Sequence, residues 1–421
     1  MDDQNKNLIL ATALSFIVIL VWFVLFPPPE PTPADPNAVI SAEGDAVLPS
    51  VSAGDDADAG VNTAAAQAEE PTQDAPRIAI ETGRLKGSIS LLGGRIDQLA
   101  LKDYRVSLDD DAPIVDLLSP VGEKSPYYAL YGWAPGAGLA FEQVPGPNTV
   151  WSAKSSSDLS VDAPVTLTWD NGNGLQFTRT ISVDENFMFS VTQSVENTGA
   201  GTVSLAPYGI LARHGEPQNL KNFFILHEGV VAMSDGELTE IDYSDMPDFD
   251  VNPNEGARAE VTQVAEQGWV GFTDQYWMTT LIPAPGAFKS TAKYDDRRDI
   301  YQTEAVLPTQ KLAPGATASA TTQLFAGAKE WATIRDYETA GVEGFIDSID
   351  WGWFFFLTKP IFAVLHYLNA MIGNMGWAII GLTFLIKLIL FPLAYKSNVS
   401  MAKMKALQPQ MEKIKENAGD D

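Results

Sequence analysis

Two long apolar stretches flank a polar middle, and together they restrict this chain more than any other feature. Leu8 to Phe26 (LILATALSFIVILVWFVLF) carries no charge. At a rise of ~1.5 Å per residue it makes a helix of about 28 Å, the hydrocarbon thickness of a bilayer, which predicts a transmembrane helix. A cleaved signal peptide has a shorter apolar region of roughly 7 to 15 residues and a small-residue cleavage site. Here FPPPEP follows directly, so the span reads as an uncleaved signal anchor covering residues 1–26 with its short cytoplasmic end. The second stretch, Trp351 to Tyr395, is too long for one span and divides at Gly373-Asn374. Before that break Lys359, His366 and Asn369 stand at helical spacing and form the polar face of an amphipathic helix, which predicts a helix lying in the membrane interface over 347–375. After it, Gly376 to Tyr395 is a second transmembrane helix of about 30 Å.

Charge orients the chain. Lys6 is the only basic residue before the first span, and Lys396, Lys403, Lys405, Lys413 and Lys415 follow the second. Positive flanks belong in the cytoplasm, and two spans return the chain there whereas three would not. Residues 27–76 between them hold ten acidic residues from Glu30 to Asp74 and no Lys or Arg, a disordered acidic linker that cannot bury enough apolar surface to offset its ordering entropy. The whole chain, 421 residues with 27 Lys plus Arg against 54 Asp plus Glu, has a formal charge of -27, which excludes a general DNA or RNA binder. With no cysteine it has no disulfide, thiolate nucleophile or Cys-ligated metal.

From Arg77 to about Lys329 short runs alternate in polarity: LKGSISLL, PVTLTWD, LQFTRTISVD, FMFSVTQSVE and TASATTQLF. Period two with Thr, Val, Ile and Phe predicts strands, and Asp170-Asn171-Gly172, Asn197-Thr198-Gly199 and Leu312-Ala313-Pro314-Gly315 predict turns between them. A large antiparallel beta sandwich over 77–346 follows, closed by a helix in Lys329 to Ile346. Beyond the second span, residues 396–421 predict a cytoplasmic helix whose seam, Met404, Leu407, Met411 and Ile414, suits one half of a helical hairpin. Pro409 is expected to bend it or to mark a fresh start.

Few residues suit chemistry. Lys387 lies mid-span in GLTFLIKLILFPL, where an ionisable group costs about 2.5 to 3.5 kcal/mol. It either snorkels to the cytoplasmic interface or faces a hydrated cavity that attracts polar or acidic parts of a client chain. Thr383 lies one turn earlier on the same face, and Pro392 kinks the span or marks its end. His214 with Glu216 and His227 with Glu228 match no ligand spacing and read as surface or turn residues. Gly93-Gly94 reads as a tight turn, and Trp269, Tyr276 and Trp277 as sandwich core, with a peptide or sugar groove as the rival. No metal site, cofactor or catalytic residue is expected.

The runs MDDQNKN, GSISLLGGRIDQLALKDY, WVGFTDQYWMTTLIP and WGWFFFLTKPIFAVLHYLNAMIGNMGWAIIGLTFLIKLILFPLAYKSNVSMAKMKALQPQMEKIKE together resemble the Gram-negative type of YidC membrane protein insertase. The resemblance implies a bacterial inner-membrane protein with a periplasmic beta super-sandwich, similar to a sugar mutarotase fold. It implies a non-enzymatic insertase and chaperone for nascent membrane proteins, with the lipid bilayer, the ribosome and the Sec translocon as partners and no cofactors. It puts Lys387 where the family has arginine in a hydrophilic intramembrane groove, with Thr383 as a groove threonine. Lysine keeps the charge and loses the planar fork. Relatives of this layout carry further spans, so the chain reads as an N-terminal fragment. The rival functions are a membrane-tethered sugar-binding or mutarotase-like enzyme and an envelope scaffold.

Overall fold

The computed structural model describes residues 75–418 apart from 110, 137–138, 155–157, 218–219 and 222–225, and for residue 406 and 408–418 it describes helix backbone alone. The expected signal anchor and nearly all of the expected linker lie outside the described residues. The chain divides into two compact units. One runs to Leu220 and resumes over Gly229–Ala328, and the other joins Lys221–Glu228 to everything from Lys329 on.

The first unit is the antiparallel sandwich. Among the described residues one sheet has 11 strands, in the order Arg77–Glu81, Leu85–Ser90, Arg95–Arg105, Tyr127–Pro135, Val203–His214, Ile300–Val306, Phe288–Asp295, Ala257–Val264 and Val251–Asn252, with Gln310–Leu312 and Ile114–Leu118 paired off this path. The second sheet has nine: Glu237–Asp242, Gly229–Ser234, Gly268–Thr273, Trp277–Pro283, Thr317–Ala328, Met188–Asn197, Leu175–Val183, Val165–Asp170 and Ser152–Ala153. The five alternating runs of the sequence all become strands, because each has an apolar set that one face can bury. In Leu175–Val183 every second residue is buried.

The turns form where their side chains can replace backbone partners. Asp170 Oδ1 accepts from Gly172 N at 2.8 Å, Asn171 Oδ1 accepts from Asn173 N and Leu175 N, and Gly172 takes φ +70. Trp269 is buried core, as is Trp133, whose ring meets Phe177 of the facing sheet at 6.5 Å. Tyr276 is exposed and packs edge-on against Trp277.

Two sites among the buried charged residues interrupt this core most deeply. Arg179 is wholly buried and reaches across to the first sheet, donating to Gly94 O at 2.9 Å, Gly93 O at 3.2 Å and Tyr131 O, with its guanidinium 4.5 Å from the centre of the Trp151 ring. Both glycines have positive φ, and a Cβ on Gly94 would lie 2.5 Å from Arg179 Nη1. The Gly93-Gly94 turn is thus also a carbonyl cradle for a cation. The second site is a buried cluster in which Lys293 Nζ lies 2.5 Å from Glu255 and 2.8 Å from Glu304, while Lys289 Nζ lies 2.6 Å from Glu255.

The second unit holds three helices among its described residues: α1 (Trp331–Thr339), α2 (Phe355–Ile372) and α3 (Met375–Ala418). The helical segment after Lys329 groups with α2 and α3. Helix α3 is continuous. Pro392 does not end it, and no new helix starts at Pro409. A proline costs one backbone hydrogen bond, and the good helix formers around both prolines (Leu, Met, Ala, Lys, Gln, Glu) carry the helix through.

Candidate functional site

Helix α2 is fixed by its own polar face. Lys359 forms an ion pair with Asp347 of the short 3-10 turn Phe345–Ser348. His366 packs its ring on Trp331 of α1, centroids 4.6 Å apart, and Phe362 lies between Trp331 at 5.7 Å and Trp351 at 5.6 Å. Residues 359, 362 and 366 share one face, so the expected polar stripe rests on α1 and the 3-10 turn. Asn369 ends it, with its backbone carbonyl accepting from Gly373 N at 2.8 Å. Asp347 and Trp331 escape a periodicity reading because they lie in other elements. Away from this face Leu357, Val364 and Met371, seven residues apart, are exposed, and so is the run Trp353 to Phe356, with Trp353 94% exposed.

Gly373 at φ +74 closes α2, and Asn374 opens α3 by accepting from Trp377 N through Oδ1 at 3.1 Å. This tight turn folds α3 back on α2. Ala378 is buried, Gly381, Leu382 and Ile386 are half-buried, and a Cβ on Gly381 would come within 4.0 Å of Leu368 and Ile372. That row is the seam toward α2.

Thr383 and Lys387 each follow a seam residue by one position, so both stand about 100° around α3 from it. Both are exposed. The Thr383 hydroxyl donates to Ile379 O at 2.8 Å, which leaves its lone pairs facing out beside Lys387. Lys387 makes no ion pair among the described residues, and neither α2 nor α3 as far as Met411 contains an acidic residue. Its nearest basic neighbour along the helix, Lys396, is nine residues on, about 14 Å. The structure therefore brings Thr383 and Lys387 together on an open face and keeps them apart from Lys359, His366 and Asn369. Of the expected hairpin seam, Met404 and Leu407 are exposed, while for Met411 and Ile414 the structure describes the helix backbone. Both α2 and α3 are long and apolar enough to cross a membrane.

Lys387 is thus a cation without an ion-pair partner among the described residues, on an apolar, exposed helix face. Residues 77–364 match the model of the YidC periplasmic domain, and residues 367–421 that of the 60Kd inner membrane protein family. The chain is 65% identical over 428 residues to the membrane protein insertase YidC of Ruegeria pomeroyi, an alignment that covers 100% of this chain and 70% of the relative. It is equally 65% identical over 431 residues to that of Roseobacter denitrificans, with the same coverage. Among solved structures, a galactose mutarotase related enzyme from Lactobacillus acidophilus is similar at TM-score 0.40 and 11% identity, over 60% of this chain and 97% of that one. That similarity is too low to bear on function. Two family matches and whole-chain identity to named relatives establish that this chain belongs to the YidC membrane protein insertase family.

Proposed function

We propose that the open face of α3 around Lys387 and Thr383 forms one wall of a hydrated intramembrane groove through which nascent inner-membrane proteins are inserted. The observation that carries this reading is the lysine without a carboxylate partner in a helix face that α2 leaves uncovered. A client segment with polar flanks meets a steep cost in hydrocarbon, and a wet, positively charged recess shortens the apolar distance those flanks travel. The client's own apolar helix then draws it sideways into lipid. No covalent step is involved. Nascent membrane proteins are the clients in this reading, with the ribosome and the Sec translocon as partners.

The test replaces Lys387 in cells depleted of their resident insertase. Lys387→Ala is expected to reduce insertion of clients with acidic translocated tails about fivefold, the worth of about 1 kcal/mol of charge attraction in a wet site. Lys387→Arg is expected to keep it, and unchanged insertion by the alanine variant would remove the groove role.

In the same reading α2 lies in the periplasmic interface of the inner membrane, because its polar face rests on charged elements that do not enter hydrocarbon, while Leu357, Val364 and Met371 look toward lipid. Spin labels at these three positions are expected to report one common depth. A label at Val364 much deeper than the other two would make α2 a span.

A further inference from the structure

We propose that Pro392 is a positioning residue for the groove: it frees the Leu388 carbonyl one residue after Lys387, and the water which that carbonyl binds keeps the lysine hydrated. The inference rests on the groove reading above and adds a backbone device to it. Helix α3 runs unbroken from Met375 to Ala418, so Pro392 lies inside a regular helix, where position 392 would normally donate to the carbonyl four residues earlier. Proline has no amide hydrogen, and its ring crowds that carbonyl. Leu388 O therefore loses its backbone donor in the most apolar part of the helix.

An unpaired carbonyl in hydrocarbon is costly, and membrane helices with internal prolines satisfy it with a neighbouring hydroxyl or with water. A hydroxyl is not at hand. From Phe384 to Pro392 (FLIKLILFP) no residue carries one, and the nearest earlier one, Thr383, already donates to Ile379 O. Lys387 is the sole side-chain donor in that run. One turn of α3 thus gathers an ammonium with no counter-ion and an acceptor with no donor, and water serves both. The lone pairs of Thr383 Oγ1 continue the same polar track one turn earlier. Pro409 lies in the basic-flanked stretch beyond and has no such neighbourhood.

The chain has no native cysteine, so a single Phe384→Cys reports cleanly; Phe384 is exposed and lies one turn before Leu388 on the same face. In inverted inner-membrane vesicles a small water-soluble maleimide, which reacts with thiolate and so requires water, is expected to label Cys-substituted position 384. Adding Pro392→Ala, which restores the helix hydrogen bond, is expected to slow labelling at least tenfold, while Pro409→Ala leaves the rate unchanged. Equal rates with and without Pro392→Ala would overturn the role of Pro392 and leave the groove standing. No labelling in any background would remove the groove and this inference with it.

Discussion

Replacing Arg179 by methionine is expected to destabilise the sandwich by about 3–5 kcal/mol, read as a shift in the denaturant midpoint of Trp fluorescence for the chain in mild detergent. The methionine keeps much of the apolar stem, so the loss is not a cavity effect. Its cause is the three carbonyls, of Gly93, Gly94 and Tyr131, that converge on the guanidinium from the opposite sheet. Each is left facing a thioether, and an unmet buried acceptor costs about 1–3 kcal/mol. Burial lowers the Arg179 pKa to about 10, against the raising influence of the Tyr208 and Tyr131 hydroxyls, so the side chain stays charged at neutral pH. Arg179→Lys is expected to recover less than half of the stability, because one ammonium cannot reach three acceptors arranged around a planar fork. A midpoint unchanged by Arg179→Met would show that the two sheets are held by apolar packing alone.

The parity of the strand announces this residue. In LQFTRTISV the inward set is Leu175, Phe177, Arg179, Ile181 and Val183, so the alternation that predicts the strand also points an arginine into the core. The glycine pair that cradles it is legible only as a turn, since what approaches a turn from another sheet leaves no mark in local sequence. The sandwich, its turns and the position of Lys387 are readable because each depends on a pattern within a few residues: period two, Asx turns, a charge in an apolar run. What holds α2 is not, since Asp347 reaches Lys359 across 12 positions and Trp331 reaches His366 across an intervening 3-10 turn. The continuity of α3 was hidden for the opposite reason. Local rules offer a bend or a break at Pro392 and Pro409, and the hydrogen bonds of the long helix on either side outweigh the one that each proline removes, so the chain stays helical through both.

The cluster at Lys293 was equally silent, because its strand FKSTAKYD does not alternate and the neighbouring strand of the same sheet, IYQTEAV, is buried along its whole length. Lys293→Met is expected to cost about 3–5 kcal/mol, since it strands the buried Glu304 carboxylate and leaves Glu255 to Lys289. Adding Glu304→Gln is expected to return more than half of that loss, because the stranded charge rather than the missing contact dominates. The pH dependence separates the two carboxylates. Burial raises the Glu255 pKa, but Lys293 and Lys289 together outweigh it and bring the pKa to about 2, whereas Glu304, wholly buried and paired with Lys293 alone, is held up by desolvation. A carboxyl whose folded pKa lies below its unfolded value of about 4.5 stabilises the fold above that value, and the contribution fades as pH falls toward 2. The stability gap between the parent chain and Lys293→Met should therefore be widest near neutral pH and narrow as pH falls and the two carboxyls take up protons earlier in the variant than in the parent. A gap constant from pH 7 to pH about 2 would mean that Lys293 supports the charge of neither carboxylate.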